Sequence, residues 1–238
     1  TQNIGLDFGF NDSKISGSIE LYKRLTKDLL GFVPIPAGSN FSNYLTTNVG
    51  SLENKGVELN INWKPVVTSD MIWNIGYNIS YNKNEITKLL LTDDPDYTGV
   101  DVGTISGGVG NTVQNHNIGF PAFSYFLLQQ VYASNGMPIE GLYVDRSGDG
   151  GNVSGNNANK YHYKKPAPDV VMGITSSISY KSFDASFSGR LNLGNYVYNN
   201  LASERASYAS LYKQSGFFNN LPTMITKTEF VYPQYWSD

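Results

Sequence analysis

The residues from Trp73 to Tyr81 alternate strictly between apolar side chains and polar or small ones. The apolar positions are Trp73, Ile75, Tyr77, Ile79 and Tyr81, and the positions between them are Asn74, Gly76, Asn78 and Ser80. A period of two predicts a β-strand with one apolar face and one polar face. This pattern constrains the fold of the chain more than any other feature of the sequence.

The same alternation recurs in five further segments of the chain. They cover residues 3–10, 15–21, 57–64, 170–180 and 183–193. Each segment has the length of an ordinary strand and places its apolar residues on one face. We therefore predict six strands that pair in an antiparallel sheet.

The connections between these strands alternate between short and long. Turn chemistry is expected at 11–13, 65–70 and 181–182, whereas the segments 26–54, 84–169 and 199–238 are predicted to be long loops. Outer-membrane barrels place short turns on the periplasmic side and long loops outside. The sequence therefore predicts an all-β fold, an antiparallel transmembrane β-barrel. A soluble β-sandwich also alternates, but its connections are typically only ~4–6 residues long.

Aromatic residues near the predicted strand ends fit the same interpretation. They are Tyr22, Trp63, Trp73, Tyr81, Tyr180 and Phe183. Transmembrane barrels carry girdles of aromatic side chains at both membrane–water interfaces. We interpret these residues as such girdles.

Composition excludes several classes of protein and site. The chain has no Cys, so it forms neither a disulfide framework nor a thiolate metal site. Its net charge of −3 provides no basic surface for nucleic acid. No apolar run approaches the roughly 20 residues of a membrane-spanning helix. The chain begins at Thr1, so we expect a processed product or a part of a longer protein.

Six strands make an open sheet, and open edges cannot face lipid because unsatisfied backbone groups there cost several kcal/mol each. We therefore expect that further strands outside this chain, or a partner, complete the barrel.

The most telling segments of the chain are NIGLDFGF at 3–10, SGSIELYKRLTKDLL at 16–30, NVGSLENKGVEL at 48–59, WNIGYNISYNKNEI at 73–86, GFP at 119–121, DRSGDG at 145–150 and PAPDVVMGITSSISYKSFDASFSGRLNLGN at 166–195. These segments resemble the C-terminal part of the barrel in SusC/RagA-type TonB-dependent outer-membrane transporters. They follow the order of the family along nearly the whole chain. The most specific segment is 48–59.

The resemblance implies that residues 1–238 are part of one barrel domain of 22 strands, with the plug and the final strands outside this chain. It implies a Gram-negative, Bacteroidetes-like outer membrane as the location and the TonB complex, acting through the plug, as the energy source. It also implies a SusD-like lipoprotein lid, pairing of two transporter–lid units, and import of oligosaccharides or peptides. The alternatives are a soluble carbohydrate-binding β-sandwich module and an outer-membrane enzyme.

One segment resembles a calcium-binding loop. Asp145, Ser147 and Asp149 stand at the first, third and fifth positions of a DxNxDG pattern, and Gly151 offers a carbonyl oxygen. The twelfth position is Asn156 rather than a bidentate Glu. A plain Asp/Gly turn is therefore the alternative. No cofactor is expected to be required, and calcium is the one candidate.

No residue pattern predicts catalysis. Asp93, Asp94 and Asp96 form a short acidic run, which is usually a solvated loop tip. His116 and His162 are the only histidines, and no HExxH, GxSxG or Walker-type loop occurs. We expect no enzymatic activity.

Two sets of residues remain candidates for contact with a ligand. The first set faces the predicted barrel interior and consists of Glu58, Asn60, Asn62, Asn74, Asn78, Arg190 and Asn192. A hydrated barrel wall is the alternative for these residues. The second set consists of the loop aromatics Phe123, Tyr125, Phe126, Tyr132, Tyr143, Tyr161 and Tyr163. They either stack on a ligand or partner, or form a local core in the loop.

Overall fold

The fold is built around an antiparallel sheet of six strands in a computed structural model that describes residues 1–35, 38–39, 41–91, 94–106, 111–148 and 157–205. The strands of this sheet are β1 (Gln2–Phe10), β2 (Ile15–Pro34), β3 (Tyr44–Val67), β4 (Met71–Lys88), β11 (Val170–Tyr180) and β12 (Phe183–Leu193). Their spatial order is β1-β2-β3-β4-β11-β12, so consecutive sheet strands are neighbours and β1 and β12 form the two edges. All six predicted strands are confirmed.

The register places the apolar residues of all six strands on one face. Leu6 pairs with Ile19, Ile19 with Leu59, and Leu59 with Ile79. The rows on either side of this one are apolar as well. Many of these side chains are exposed, with Ile4 at 75%, Leu6 at 64% and Phe187 at 62%. A contiguous exposed apolar face of this size indicates contact with a partner or with lipid.

The segment 26–54 is not a long loop, and this prediction is wrong. β2 continues to Pro34 and β3 begins at Tyr44, so the two strands form a long hairpin around a short connection. Register shifts at Thr26–Leu29 and Leu29–Leu30 interrupt the pairing, and Asp28 has a positive φ of 59°. These bulges break the period of two, which is why the alternation does not reveal the strand extensions.

The short connections at the other end of the sheet agree with the sequence. Asn11, Asp12 and Ser13 all have positive φ, which Asn and Asp tolerate better than other side chains. The second turn lies at 68–70 and is shorter than the predicted 65–70, because β3 continues through Pro65 to Val67. The third lies at Lys181–Ser182, and Lys181 also has a positive φ.

The predicted long loop 84–169 begins later than expected, because β4 continues to Lys88, and the segment after β4 contains short strands. They are β5 (Val100–Thr104), β6 (Thr112–His116), β7 (Ser124–Leu127), β8 (Gln130–Tyr132), β9 (Pro138–Tyr143) and β10 (Tyr161–His162). β10, β7, β6 and β5 form a four-stranded sheet in that order, and β8 pairs with β9. A 3-10 helix at Asn157–Asn159 and the helix α1 (Asn200–Arg205) complete the described elements. The β-like piece predicted within Phe123–Tyr132 corresponds to β7 and β8.

Contacts divide the chain into two compact units. The first comprises Thr1–Gly99, His116–Ala122 and Lys165–Tyr196, and it contains the six-stranded sheet. The second comprises Val100–Asn115, Phe123–Lys164 and the described residues from Val197. Among the described residues, no helix has the length and apolar character that crossing a membrane requires.

Candidate ligand-facing site

The polar face of the first unit carries a concavity of about 440 Å³ along the middle of β2 and β3, beside the start of β1 and the C-terminal part of β4. Its lining is Thr1, Asn3, Glu20, Tyr22, Arg24, Asn54, Glu58 and Asn82. The side chains reach one face because they alternate with the apolar positions along each strand. Amides, carboxylates, a guanidinium and an aromatic ring therefore meet in one place.

Tyr22 spans this concavity. Tyr22 pairs with Gly56, which in turn pairs with Asn82 two strands away. Because Gly56 has no side chain, the Tyr22 ring lies over it, and the Tyr22 hydroxyl donates a hydrogen bond to Asn82 Oδ1 over 2.8 Å. The ring is thereby fixed on the polar face. The prediction that Tyr22 belongs to an interfacial girdle is therefore wrong.

The geometry at Gly56 gives a direct test of this arrangement. A Cβ on Gly56 would come within 2.7 Å of the Tyr22 hydroxyl oxygen and would clash with the Tyr81 carbonyl oxygen. We expect Gly56→Ala to destabilise the full-length protein by about 1–3 kcal/mol, as overpacking typically does. Urea-dependent refolding into lipid vesicles measures this loss.

Gly5→Ala is the matched control, because Gly5 also lies on the polar face and its Cβ would meet Glu20 Cγ at an ordinary 3.4 Å. An equal loss of stability in both variants would contradict the role assigned to Gly56.

Two carboxylates face each other in the same concavity. Glu20 and Glu58 are directly paired on β2 and β3. Asn3 Nδ2 donates a hydrogen bond to Glu20 Oε2 over 3.3 Å, and Arg24 lines the same wall. These carboxylates accept hydrogen bonds from hydroxyl or amide donors, while the Tyr22 ring offers a flat surface for stacking. The arrangement suits noncovalent binding of a polar ligand.

All seven interior-facing candidates from the sequence lie on the polar face of the sheet. Glu58 lines the concavity, Asn60 pairs with Asn78, and Arg190 Nε donates a hydrogen bond to Asn192 Oδ1 over 3.3 Å. Sequence reasoning missed Tyr22, Arg24, Asn54 and Asn82 as members of the site. A continued period of two beyond Leu21 would have placed Tyr22 and Arg24 on this face.

In the second unit, a separate cavity of about 560 Å³ is bordered by residues that include Asp101, Phe126, Tyr143, Lys160 and Tyr198. Asn115 is 1% exposed, and its Nδ2 donates a hydrogen bond to Asp101 Oδ1 over 2.8 Å. The lining of the cavity combines polar and apolar side chains, as small-ligand cavities commonly do.

Some loop aromatics form a local core in this unit. Tyr125 is 7% exposed, and its hydroxyl accepts a hydrogen bond from the backbone N–H of Tyr198 over 3.2 Å. The rings of Phe126 and His162 lie 4.9 Å apart. Arg146 stacks on Tyr161 with 4.1 Å between the guanidinium carbon and the ring centroid.

Other loop aromatics remain on the surface. Phe123, Tyr132 and Tyr163 are at least half exposed. The two alternatives drawn from the sequence therefore apply to different residues of the same unit. The exposed rings are the ones available to a ligand or partner.

His162 and Ser124 lie close together in the same unit, with 2.7 Å between His162 Nδ1 and Ser124 Oγ. Ser124 is buried, and its hydroxyl also donates to the carbonyl oxygen of Asn115 over 3.3 Å. Burial lowers the pKa of His162, and likewise that of His116, below the ordinary value of about 6.5. A neutral histidine beside a buried serine fits a packed polar pair, because a nucleophile needs access to its substrate.

The candidate calcium loop lies only partly within the described residues. Asp145 Oδ1 accepts hydrogen bonds from Ser147 Oγ over 3.0 Å and from the Gly148 backbone N–H over 2.8 Å. This is the Asx turn expected of a Ser/Asp/Gly sequence. Asp149, Gly151 and Asn156 lie outside the described residues. Within the described part of the chain, no three His, Cys, Asp or Glu side chains cluster as a metal site would require.

The acidic run is partly described as well. Asp94 and Asp96 are exposed, and Asp94 Oδ1 accepts a hydrogen bond from the Asp96 backbone N–H over 3.0 Å. Asp93 lies outside the described residues. The two described carboxylates match a solvated loop.

Known proteins of one family resemble this chain in sequence and in structure. The family described as "TonB dependent receptor-like, beta-barrel" matches residues 1–201. The chain is 49% identical over 231 residues to the TonB-dependent receptor SusC of Bacteroides thetaiotaomicron, which is 97% of this chain and 22% of SusC.

Two solved structures share the fold. One is titled "Structure of the RagAB peptide transporter"; it is 21% identical, with a TM-score of 0.61 over 94% of this chain and 26% of the solved chain. The other shows the RagAB peptide importer in the "closed-closed" state; it is 26% identical, with a TM-score of 0.58 over 81% of this chain and 21% of the solved chain. The chain thus spans between about a fifth and a quarter of the length of these three proteins.

Proposed function

Since the chain belongs to the TonB-dependent receptor-like β-barrel family, we propose that it forms part of the barrel wall of an outer-membrane nutrient importer. The six-stranded sheet is a partial β-barrel of this family. The plug, the segment that contacts the TonB complex and the remaining strands belong, in this proposal, to the rest of the protein.

The two-faced sheet is the observation that carries the proposal. Its apolar side chains are exposed or half-buried along every strand, whereas the opposite face holds amides, carboxylates and Arg190. Such a sheet is suited to lipid on one side and a water-filled interior on the other. β11 and β12 have 11 residues each, which fits the ~9–11 residues of a tilted transmembrane strand. The soluble sandwich alternative lacks comparable support.

The substrate we propose is an oligosaccharide or a peptide. The concavity around Tyr22 offers hydrogen-bond acceptors for hydroxyl or amide groups and a ring for stacking. One of the solved structures that share the fold is a peptide transporter, and SusC supplies the closer sequence relation. The chain performs no covalent chemistry in this proposal, and it acts by binding and by forming the wall.

We also propose that a SusD-like lipoprotein closes the barrel over the long connections, and that two transporter–lid units pair. The exposed rings of Phe123, Tyr132 and Tyr163 support a docking surface, because aromatic residues are enriched at protein interfaces. Capture outside the cell, closure by the lid and plug movement driven by TonB would then follow in sequence.

The sidedness of the sheet is the first test of the proposal. Ser42 and Asp12 lie in the connections at opposite ends of β2, so Ser42→Cys and Asp12→Cys place a single thiol at either end of the strand. In intact cells that produce the full-length protein, an impermeant thiol reagent should label the Ser42→Cys variant and leave the Asp12→Cys variant unlabelled. Both variants should react after the cells are opened.

Labelling of the Asp12→Cys variant alone on intact cells would invert the topology. If both variants are labelled equally in intact and in opened cells, the placement of the sheet in the membrane is contradicted. Asp12 and Ser42 are both exposed, so neither result stems from burial in the protein.

We further propose that the loop at Asp145 and Asp149 binds calcium, with Ser147 and Gly151 as further ligands. A cation that binds only the folded state should raise the melting temperature of the full-length protein at millimolar calcium. Asp145→Asn should remove that increment, because it keeps the Oδ1 acceptor of the turn while it removes the charge.

Asp94→Asn is the control, since Asp94 is an exposed acid elsewhere in the long segment. An unmutated protein whose melting temperature does not respond to calcium would refute the site.

A further inference from the structure

Three lysines lie side by side on the apolar face of the sheet. Lys23 on β2 pairs directly with Lys55 on β3, and Lys55 pairs directly with Lys83 on β4. Each has the same parity as the apolar residues of its strand, so all three side chains lie on the face that carries Leu21 and Val57. We call these residues the lysine row.

Like charges directly opposite each other on neighbouring strands destabilise a sheet. The available counter-charges only partly offset this repulsion. Glu53 is shared, at 2.8 Å from Lys23 Nζ and 3.3 Å from Lys55 Nζ, and Glu85 lies 2.9 Å from Lys83 Nζ. Three ammonium groups thus face two carboxylates, and about half of each lysine side chain is exposed. The row retains one excess positive charge that is accessible from outside the sheet.

The lysine row lies at the boundary of the apolar band. The next row of the sheet consists of Ile4, Leu21, Val57, Tyr81 and Val170, each paired with the following one. Val170 is the first residue of β11, whose 11 residues have the length of one membrane crossing. The lysines therefore lie one row beyond the crossing, on the side where β2, β3 and β4 continue past the length of β11. Ammonium groups at this depth meet lipid headgroups.

A groove connects the charged row with the apolar band. It has a volume of about 490 Å³, and its walls include the three lysines together with Ile4, Leu21, Val57 and Tyr81. The groove thus joins a cationic end to an apolar floor. A molecule that matches both has an anionic head and a hydrocarbon chain.

We propose that the lysine row and this groove bind one phosphate-bearing lipid of the outer leaflet, with the phosphate on the lysines and an acyl chain along the apolar floor. Ammonium groups are effective point charges for phosphate, and a further negative charge there neutralises the excess of the row. The inference rests on the membrane placement proposed above. The bound lipid would fix the height of the barrel in the membrane and seal its outer surface beside the longer connections.

Native mass spectrometry of the full-length transporter in non-ionic detergent tests this site. The probe is monophosphorylated lipid A, compared with the same lipid after removal of its phosphate and with inorganic phosphate alone. The unmutated protein should retain one phosphorylated lipid in preference to the dephosphorylated form. The variant K23Q/K55Q/K83Q should bind it at least about tenfold more weakly.

Two variants serve as controls. K14Q/K64Q/K181Q removes the same charge from exposed lysines at the short-turn end and should bind like the unmutated protein. K23R/K55R/K83R keeps the positive charges and should bind the phosphorylated lipid like the unmutated protein. The three lysines of the row are half exposed, so their replacement should leave the sheet folded.

Equal binding of the phosphorylated lipid by K23Q/K55Q/K83Q, or equal binding of the dephosphorylated lipid, would overturn the proposal. Retention of inorganic phosphate without a preference for the lipid would also overturn it. If the unmutated protein fails to insert into vesicles, the proposed membrane function fails. A protein that inserts and takes up its substrate but shows no phosphate preference contradicts the lipid site alone.

Discussion

An arginine in place of Tyr77 is expected to destabilise the membrane-inserted protein by about 2–4 kcal/mol. Tyr77 lies on the apolar face, where it pairs with Ile61 on β3 and with Ile174 on β11. On the same face of β4, Trp73 and Ile75 precede Tyr77, and Ile79 and Tyr81 follow it. Tyr77 is therefore in the middle of the apolar band, where a charge meets hydrocarbon with the least access to water.

The neighbouring residue provides the matched control. Asn78 lies on the polar face, where it pairs with Asn60 and with Gly173. An arginine at Asn78 has the same charge and size but reaches the hydrated side, so we expect a much smaller loss of stability. Urea-dependent folding of the full-length variants into lipid vesicles measures both values.

The two variants separate three interpretations of the sheet. Equal tolerance of both arginines would argue against lipid on either face. A larger loss for Asn78→Arg than for Tyr77→Arg would mean that the lipid-facing and interior-facing sides are exchanged. The expected ranking supports the assignment of the apolar face to lipid.

The strand faces were predictable because they depend only on the order of residues along each strand. Val170–Tyr180 and Phe183–Leu193 have the predicted bounds, since no bulge interrupts their pairing. The long hairpin of β2 and β3 was not predictable in the same way. The bulge at Asp28 shifts the alternation, and the sequence beyond it no longer has a regular period.

The candidate site was less predictable because it depends on the register between strands. Tyr22, Gly56 and Asn82 meet only because β2, β3 and β4 pair with one particular offset. A shift of one residue would move Tyr22 to the other face. The lysine row depends on the same offset. A sequence pattern gives the face of each residue, but it does not give the partner across the strand.

Contacts between side chains of the second unit were even less predictable from the sequence. His162 and Ser124 are 38 residues apart in the chain, and the pairing of β10 with β7 brings them together. Their strands are only two and four residues long, too short for a periodic pattern to reveal. The sequence therefore indicated which aromatics lie in this segment, but not which of them are buried.

Removal of the exposed aromatic rings of the second unit is expected to abolish most substrate uptake by the full-length transporter. Phe123, Tyr132 and Tyr163 are 50%, 62% and 55% exposed, whereas Tyr125 lies in the local core. The triple variant F123S/Y132S/Y163S therefore leaves Tyr125 and its hydrogen bond from Tyr198 in place. Truncation of an aromatic hot-spot residue costs about 2 kcal/mol or more of binding free energy, so loss of even one such anchor should weaken association with the proposed lid by about thirtyfold.

Co-purification of the lid in detergent and growth on the imported substrate measure the two consequences. The variant F123Y/Y132F/Y163F is the control, because it keeps every ring and changes only hydroxyl groups. It should associate and transport like the unmutated protein. If F123S/Y132S/Y163S also retains the lid and supports unchanged growth, these rings only cover the second unit. Recognition of the proposed lid must then depend on other residues of the full-length protein.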